Sequence, residues 1–249
     1  MNNITVIKLG GSLLDDPSRR EQALEAIVRR WNEGENLVLV HGGGKHIDAA
    51  LAKAGIAKKT YAGLRITDDA TLDVVVAVLA GTVNKLLVSE LTALGVRAAG
   101  ISGADAATLV AEPHPPIDGV ALGHVGRVTS SNAALVRAML TYGTLPVVSS
   151  IAATKAGALL NVNADTAAAA LAIGLRAQSL RFITDVAGLL DANGAVVPRL
   201  HARDVATWIA SDAVTGGMRP KLEAALGALR SGVPVITIGE EGGTNLVAA

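Results

Sequence analysis

The chain of 249 residues has no cysteine, few aromatic residues and no excess of either charge. The absence of cysteine excludes disulfides, thiolate metal sites, iron–sulfur clusters and a cysteine nucleophile. Two tryptophans, two tyrosines and one phenylalanine are scattered along the chain, which does not suit a platform that stacks nucleic-acid bases. Because 22 lysines and arginines are balanced by 22 aspartates and glutamates, the basic field that attracts nucleic acid is also missing. We therefore expect no nucleic-acid partner.

Long apolar runs are missing as well, although 50% of the residues are hydrophobic. No uninterrupted run approaches the roughly 18–20 residues that a membrane-spanning helix needs. The first residues lead directly into a strand pattern, without the basic, apolar and cleavage regions of a signal peptide. We expect a cytoplasmic protein with no membrane partner, and its length allows one large or two small domains.

Short apolar runs rich in β-branched residues alternate with longer helical patterns. Residues 4–9 and 37–40 predict buried strands, with a helix between them. A long helix is predicted from Asp68, a suitable N-cap, to about Leu94. The segment 113–126, rich in proline and glycine, predicts hairpins outside the main sheet. This alternation predicts an α/β fold with a mostly parallel sheet and helices on both faces.

Two glycine clusters follow the first two predicted strands, at residues 10–11 and 42–44. In open α/β sheets, ligands bind beyond the carboxyl ends of the strands. Glycine lets the backbone approach a ligand closely, and the N–H groups at a following helix start bind anions. Lys8 adds a cation beside the first cluster. Each cluster alone is equally explained by a tight turn, but two on consecutive strands with a lysine favour a phosphate site.

The common fingerprints for nucleotides, zinc and serine nucleophiles do not occur. Gly44-Lys45 is not part of a P-loop, because the upstream glycine is missing and His46 stands where Ser or Thr is needed. The chain contains no G-x-G-x-x-G and no H-E-x-x-H, and Ala104 breaks the one segment that approaches a G-x-S-x-G elbow. These gaps weigh most clearly against a dinucleotide dehydrogenase.

Further polar residues are candidates for a binding site. Arg65 lies in a short apolar segment and suits a bidentate grip on a carboxylate, although a surface ion pair explains it as well. Asn161, Asn163 and Asp165 alternate before a predicted helix, where helix capping by Asp165 explains only part of the pattern. Lys221 falls in the first turn of another predicted helix, where a solvent-facing lysine is the alternative.

In their order along the chain, these segments resemble the motifs of the amino acid kinase family. Each motif alone is weak, whereas the ordered set covers almost the whole chain and is highly specific. The matching segments are Lys8-Leu9-Gly10-Gly11, His41-Gly42-Gly43-Gly44, Gly63-Leu64-Arg65-Ile66-Thr67, Leu79-Ala80-Gly81-Thr82-Val83-Asn84-Lys85, Gly123-His124-Val125-Gly126, Asn161-Val162-Asn163-Ala164-Asp165, Asp185-Val186-Ala187-Gly188 and Gly217-Met218-Arg219-Pro220-Lys221.

The resemblance implies a fold and a reaction. The implied fold is a three-layer αβα sandwich with an open, mostly parallel central sheet and two closely packed lobes. Residues 1–155 would bind an acylated amino acid and dimerise, and residues 156–249 would bind ATP. The implied reaction is ATP-dependent phosphorylation of the side-chain carboxylate of N-acetyl-L-glutamate, which gives an acyl phosphate for arginine biosynthesis. Mg²⁺ would be carried on the ATP phosphates, with no metal ligand from protein side chains.

The resemblance also implies roles for individual residues. It assigns catalysis to two lysines that neutralise the transferred phosphoryl group, a carboxylate that holds them and two backbone N–H donors: Lys8, Lys221, Asp165, Gly11 and Gly44. It assigns substrate binding to Gly43, Gly44, Arg65, Asn161 and Asn163. It lines the nucleotide pocket with Lys8, Gly10, Gly11, Asp185, Val186, Ala187, Gly188, Leu189, Leu190, Val214, Thr215 and Lys221.

Two alternatives stay open. A related kinase acts on aminoadipate or glutamate presented on a carrier protein, which Gly44 and the segment 63–67 disfavour. A non-catalytic sensor of amino acids or nucleotides keeps the fold, but the presence of Lys8, Asp165 and Lys221 disfavours it. The chain lacks the leading helix of arginine-inhibited hexameric relatives. We therefore expect a homodimer that is insensitive to arginine, with the predicted long helix as a candidate interface.

Overall fold

Strands and helices alternate through residues 3–184, 186–191, 193–211, 214, 216–239 and 242–248, which the computed structural model describes. The strands are β1 (Ile4–Leu9), β2 (Asn36–His41), β3 (Thr60–Tyr61), β4 (Leu64–Arg65), β5 (Ala98–Ser102), β6 (Val110–Pro113), β7 (Val125–Ser130), β8 (Leu145–Ser149), β9 (Ile151–Ala153), β10 (Leu159–Val162), β11 (Ser179–Ile183), β12 (Arg199–His201), β13 (Val235–Ile238) and β14 (Thr244–Val247). The α-helices are α1 (Gly11–Asp15), α2 (Pro17–Asn32), α3 (Gly44–Lys53), α4 (Asp69–Val76), α5 (Asn84–Ala93), α6 (Ala134–Thr141), α7 (Ala164–Leu175), α8 (Val205–Ala210) and α9 (Met218–Arg230).

The central sheet has eight strands in the order β12-β14-β13-β11-β1-β2-β8-β5. Its pairs are parallel except for β13 and β14, which run antiparallel. Strands β1 and β11 are neighbours although 169 residues lie between the end of β1 and the start of β11. The predicted mostly parallel sheet is confirmed, and its parallel register aligns the carboxyl ends of β1, β2, β8 and β11 along one edge.

The middle strands are buried on both faces because their side chains alternate between two cores. In β1, Ile4 and Val6 belong to one hydrophobic cluster, while Ile7 and Leu9 belong to the other. Successive strand residues point to opposite faces, so the two clusters lie on opposite sides of the sheet. Helices α7 and α9 pack on the first cluster, and helices α2 and α3 pack on the second. This arrangement is the three-layer αβα sandwich that the resemblance implied.

The predicted long helix is present, but it contains an unexpected segment. Asp68 caps it by accepting a hydrogen bond from the backbone N–H of Thr71. Between α4 and α5 the backbone forms a π-helix over Ala77–Val83, a local widening that is frequent near functional sites. Within the described residues, the whole segment Asp69–Ala93 is the one helix long and apolar enough to cross a membrane. A core helix of a globular protein can be equally long and apolar. The apolar side chains of this segment that lie buried in the second hydrophobic cluster are Val75, Val78, Leu79, Val83, Leu87 and Leu91.

Two smaller β units flank the sheet. Strands β10, β7, β6 and β9 close into a small barrel outside the main sheet. Within it, β6 and β7 pair antiparallel at the two ends of the segment 113–126, which confirms a hairpin there. Strands β3 and β4 form a separate two-stranded hairpin that carries Arg65. The division expected at residue 155 falls in the connection between β9 and β10, which pair with each other. The main sheet also contains strands from both residues 1–155 and residues 156–249. The division into two lobes therefore stays a prediction.

Candidate active site

A cleft of about 240 Å³ opens where the carboxyl ends of β1, β2 and β8 meet the starts of α3 and α7. Neighbouring parallel strands end at the same edge of a sheet, so the fold brings together segments that are far apart in the sequence. The cleft is lined by Lys8, Gly11, Gly42, Gly43, Gly44, Ile47, Arg65, Leu79, Ser150, Asn161, Val162, Asn163, Ala164 and Asp165.

A buried trio of charges forms one end of this cleft. The Nζ atom of Lys8 lies 2.9 Å from Oδ1 of Asp165. The Nζ atom of Lys221 lies 3.2 Å from Oδ1 and 3.1 Å from Oδ2 of the same carboxylate. The first turn of α9 delivers Lys221 to this position, 5.3 Å above the centre of the Phe182 ring. The solvent-facing alternative for Lys221 is therefore wrong, because only 5% of the residue is exposed.

The electrostatics of the trio leave an excess of positive charge. Burial alone would raise the pKa of Asp165, but Lys8 and Lys221 outweigh it and hold that pKa below its usual value. The carboxylate is therefore ionised at neutral pH. Two ammonium groups beside one carboxylate carry a net charge of about +1. A buried excess charge of this sign attracts an anionic group such as a phosphate.

The two glycine clusters supply backbone donors beside this charge. Gly43 is the N-cap of α3, which has no side-chain cap, so the N–H groups of its first turn point toward the cleft end of the helix. A Cβ on Gly43 would lie 3.0 Å from Leu79, so packing explains that glycine. A Cβ on Gly11 or Gly44 would meet no protein atom within 4 Å. At those two positions the protein itself leaves the space open.

Arg65 reaches the cleft from the β3–β4 hairpin. Its Nη2 atom donates to the carboxylate of Asp48 and, at 3.3 Å, to the carbonyl oxygen of Gly44. Its Nη1 atom is buried and has no hydrogen-bond partner among the described residues. A buried donor without a partner is costly, and an anion in the cleft would satisfy it. Arg65 forms an ion pair with Asp48, as the surface ion-pair alternative predicted. The arginine does not lie on the surface, however, because only 11% of its side chain is exposed.

The two asparagines have different local roles. Asn163 caps α7, because its Oδ1 accepts from the backbone N–H groups of Asp165 and Thr166 at 2.8 and 3.1 Å. The sequence interpretation that gave this cap to Asp165 is wrong, since Asp165 lies in the first turn and faces the lysines. Asn161 donates from Nδ2 to the Thr67 hydroxyl at 3.2 Å. Both asparagines line the cleft, as their spacing predicted.

The predicted nucleotide wall lies elsewhere on the same edge of the sheet. The residues 186–190 follow β11, and none of them lines the cleft. Leu189 and Val214 are buried in the first core cluster, and the N–H of Leu189 donates to the Thr244 hydroxyl at 2.8 Å. Asp185 and Thr215 lie outside the described residues. The nucleotide role of these segments therefore stays a prediction.

Sequence analysis missed several residues of the cleft. Ile47 and Leu79 line the cleft but have the spacing of core residues, so nothing in the sequence distinguished them from the rest of the core. Ser150 follows β8, and its position after a buried strand was the one clue available. No group of three or more His, Asp or Glu side chains that suits a metal ion occurs in the part of the chain that the structure describes.

A buried histidine supports the second glycine cluster from behind. His41 is fully buried, and its Nδ1 lies 2.9 Å from the carbonyl oxygen of Gly42. Its Nε2 lies 3.1 Å from Nδ2 of Asn84, which follows the π-helix. Since the amide of Asn84 donates, Nδ1 carries the imidazole proton and donates to Gly42. Burial lowers the pKa of His41 to about 4, so the ring is neutral at pH 7.

Comparison with known proteins identifies the family. The model of the amino acid kinase family matches residues 3–239. This chain belongs to the amino acid kinase family. Acetylglutamate kinase from Geobacillus thermodenitrificans is 42% identical over 239 residues, which cover 96% of this chain and 90% of the relative. Acetylglutamate kinase from Chloroflexus aggregans is 42% identical over 253 residues, which cover 99% of this chain and 98% of the relative. The resemblance drawn from the motifs is confirmed.

Solved structures agree with the amino acid kinase fold. A crystal structure of a Streptococcus mutans protein matches with a TM-score of 0.89 at 31% identity and covers 99% of both chains. N-acetylglutamate synthase from Neisseria gonorrhoeae matches with a TM-score of 0.85 at 24% identity, covering 98% of this chain and 59% of the synthase. Carbamate kinase from Giardia lamblia, bound to AMP-PNP, matches with a TM-score of 0.71 at 14% identity, covering 100% of this chain and 99% of the carbamate kinase. The last two likenesses concern the fold alone.

Proposed function

We propose that this protein is an acetylglutamate kinase, which transfers the γ-phosphoryl group of ATP to the side-chain carboxylate of N-acetyl-L-glutamate. The observation that carries the proposal is the buried Lys8–Asp165–Lys221 trio beside two glycine turns. The names of the curated relatives, at about 40% identity over nearly their whole length, support the choice of substrate.

The reaction needs charge neutralisation more than acid–base chemistry. A carboxylate is ionised at neutral pH, so its oxygen attacks the γ-phosphorus without a general base. The bond between that phosphorus and the bridging oxygen breaks, its electron pair stays on that oxygen, and ADP leaves. The difficulty is to bring an anion against a polyanion, which makes positioning and electrostatic stabilisation the main contributions of the protein.

The residues of the cleft suit this task. Lys8 and Lys221 neutralise the charge that spreads over the transferred phosphoryl oxygens, and Asp165 holds both ammonium groups in place. The backbone N–H groups of Gly11 and Gly44 donate to the same oxygens. Because these donors are fixed before the substrates bind, they cost no reorganisation during the transfer.

The other half of the cleft suits the acylated amino acid. The buried Nη1 of Arg65 and the amide of Asn161 bind the α-carboxylate, with Asn163 close by. Gly43 shapes the turn that faces them, as expected from the family motif. The substrate's side-chain carboxylate then points to the trio of charges, where the phosphoryl group arrives.

ATP enters from the carboxyl end of β11. The residues proposed to line its pocket are Lys8, Gly10, Gly11, Asp185, Val186, Ala187, Gly188, Leu189, Leu190, Val214, Thr215 and Lys221. Mg²⁺ arrives bound to the ATP phosphates and neutralises part of their charge. The donor set of the cleft fits this arrangement, because Asp165 is the one carboxylate among the described residues that line it, and both of its oxygens are engaged by lysines.

Further features of the proposal concern the cellular setting. The acyl phosphate product serves arginine biosynthesis in the cytoplasm. The protein forms a homodimer, with the long helix from Asp69 to Ala93 as candidate interface. Residues 1–155 bind the acylated amino acid, and residues 156–249 bind ATP.

The test measures ADP release from ATP and Mg²⁺, with hydroxylamine added to trap the acyl phosphate. N-acetyl-L-glutamate is compared with free glutamate at equal concentration. We expect a hydroxamate from N-acetyl-L-glutamate and none from glutamate. If ATP binds but neither compound is turned over, the proposal is wrong, and a carrier-borne substrate or a sensor role becomes the better hypothesis.

A further inference from the structure

We propose that Asp48 is a positioning residue that orients Arg65, so that one guanidinium nitrogen is engaged and the other faces the substrate. This inference rests on the proposed function, because it assigns Arg65 to the α-carboxylate. Asp48 lies in α3, does not line the cleft and was not singled out by the sequence motifs. It is therefore placed to act on the substrate only through Arg65.

Both oxygens of the Asp48 carboxylate are occupied by cations of the hairpin segment. Oδ1 accepts from Nη2 of Arg65, and Oδ2 accepts from Nζ of Lys58 at 2.8 Å. Lys58 comes just before β3, and Arg65 ends β4. One carboxylate thus ties both ends of the hairpin to the helix that begins at Gly44.

These contacts decide which nitrogen of Arg65 is available. Nη2 is held by Asp48 and by the carbonyl oxygen of Gly44, whereas Nη1 is buried and has no partner among the described residues. The guanidinium group is planar, so fixing Nη2 also fixes the direction in which Nη1 presents its donors. An arginine held in this way loses little conformational freedom when it binds a carboxylate.

The charge of Asp48, considered alone, predicts that this residue weakens substrate binding, which is the opposite of a positioning role. Burial would raise the pKa of Asp48, but Lys58 and Arg65 outweigh it and lower that pKa, so Asp48 is negative at neutral pH. A negative charge next to the arginine weakens the attraction for an anionic substrate. If charge were all that mattered, removing it would improve binding of N-acetyl-L-glutamate. If orientation matters more, removing it makes binding worse.

The experiment compares the Asp48→Asn variant with a matched control, Lys58→Met, which breaks the other contact of the same carboxylate. For Asp48→Asn we expect the KM for N-acetyl-L-glutamate to rise about tenfold or more, the range for a lost charge-assisted hydrogen bond. The KM for ATP should change less than about threefold, which is much less than the change expected for the loss of one charge-assisted hydrogen bond. Lys58→Met should leave both KM values near those of the wild type, and Asp48→Glu should recover part of the loss.

A second readout separates orientation from general damage. The wild type should discriminate strongly between N-acetyl-L-glutamate and its α-carboxamide, and Asp48→Asn should lose much of that discrimination. An unchanged or lower KM for N-acetyl-L-glutamate in Asp48→Asn would refute the inference. Equal rises in the KM values for N-acetyl-L-glutamate and its α-carboxamide would also refute it. Loss of cooperative unfolding in Asp48→Asn alone would make the residue purely structural. Failure of the wild type to turn over N-acetyl-L-glutamate would instead refute the proposed function.

Discussion

The Lys8–Asp165–Lys221 trio predicts that its lysines and its carboxylate will behave in opposite ways when they are replaced. The Lys221→Met variant removes one of two cations and leaves Lys8 paired with Asp165 at 2.9 Å. The Asp165→Asn variant removes the anion and leaves two ammonium groups close together in a buried site. The first change deprives the phosphoryl group of a partner, whereas the second leaves uncompensated buried charge.

The expected magnitudes follow from this difference. Loss of one preorganised donor to developing charge costs on the order of 10²–10³ in kcat, or about 3–4 kcal/mol of transition-state stabilisation. Removing Lys221 leaves no buried charge without a partner, because Asp165 stays paired with Lys8 at 2.9 Å. We therefore expect Lys221→Met to be nearly inactive and about as stable as the wild type. Breaking the trio at Asp165 should lower the free energy of unfolding by about 3–5 kcal/mol.

The assay pairs initial rates of ADP release with urea unfolding for each variant. Lys155→Met is the control, because this exposed lysine lies in the turn between β9 and β10. It should match the wild type in both measurements. If Lys221→Met kept more than about a tenth of wild-type kcat, the assigned role of the lysine would be wrong. If Asp165→Asn unfolded at the wild-type urea concentration, the charge argument would fail.

Three further predictions concern glycine, histidine and arginine positions. Gly44→Ala should leave the urea midpoint nearly unchanged, because its Cβ meets no protein atom within 4 Å. It should lower kcat/KM at least about tenfold, because the Cβ takes the space in which a ligand approaches the backbone N–H of residue 44. An unaffected kcat/KM would contradict that close approach, and Gly227→Ala in α9 is the control. His41 stays neutral in the folded protein down to pH about 4, whereas the unfolded chain takes up its proton near pH 6.5, so acid favours unfolding. The free energy of unfolding should therefore fall by about 3 kcal/mol from pH 7 to pH 4 through this group, and His41→Asn should flatten that slope. Arg20→Ala leaves Glu90 and the carbonyl oxygen of Leu14 without their partner and should cost about 3 kcal/mol. Arg30→Ala should cost less than about 1 kcal/mol, because Arg30 is more exposed than Arg20 and, among the described residues, pairs with Glu35 alone. Equal losses for the two variants would contradict this ranking.

Local patterns in the sequence were sufficient for most of the secondary structure. The apolar run at β1, the proline after Asp16 at the start of α2 and the cap at Asp68 each act within a few residues. The π-helix of Ala77–Val83 gave no such signal, because its residues continue the apolar pattern of an ordinary helix. Its close approach to Gly43 depends on how two distant segments pack.

The candidate site was predictable as a set of residues but not as a geometry. Lys8, Asp165 and Lys221 were identified through their motifs, yet their contacts depend on the neighbouring positions of β1, α7 and α9. Asn163 was expected to bind substrate, and the structure adds that it caps α7. Asp48 and Ser150 were missed, because an acidic residue on a helix and a serine after a strand are common in any chain.

The sequence by itself determined the alternation of strands and helices, the family and the residue types at the site. These properties follow from local periodicity, from turn residues and from the order of short motifs, which need no knowledge of the packing. The tertiary structure alone decided that two lysines share one buried carboxylate and that Arg65 keeps one nitrogen for a ligand. Such pairings join residues up to 157 positions apart, and only the sheet order and the parallel register bring them within hydrogen-bond distance.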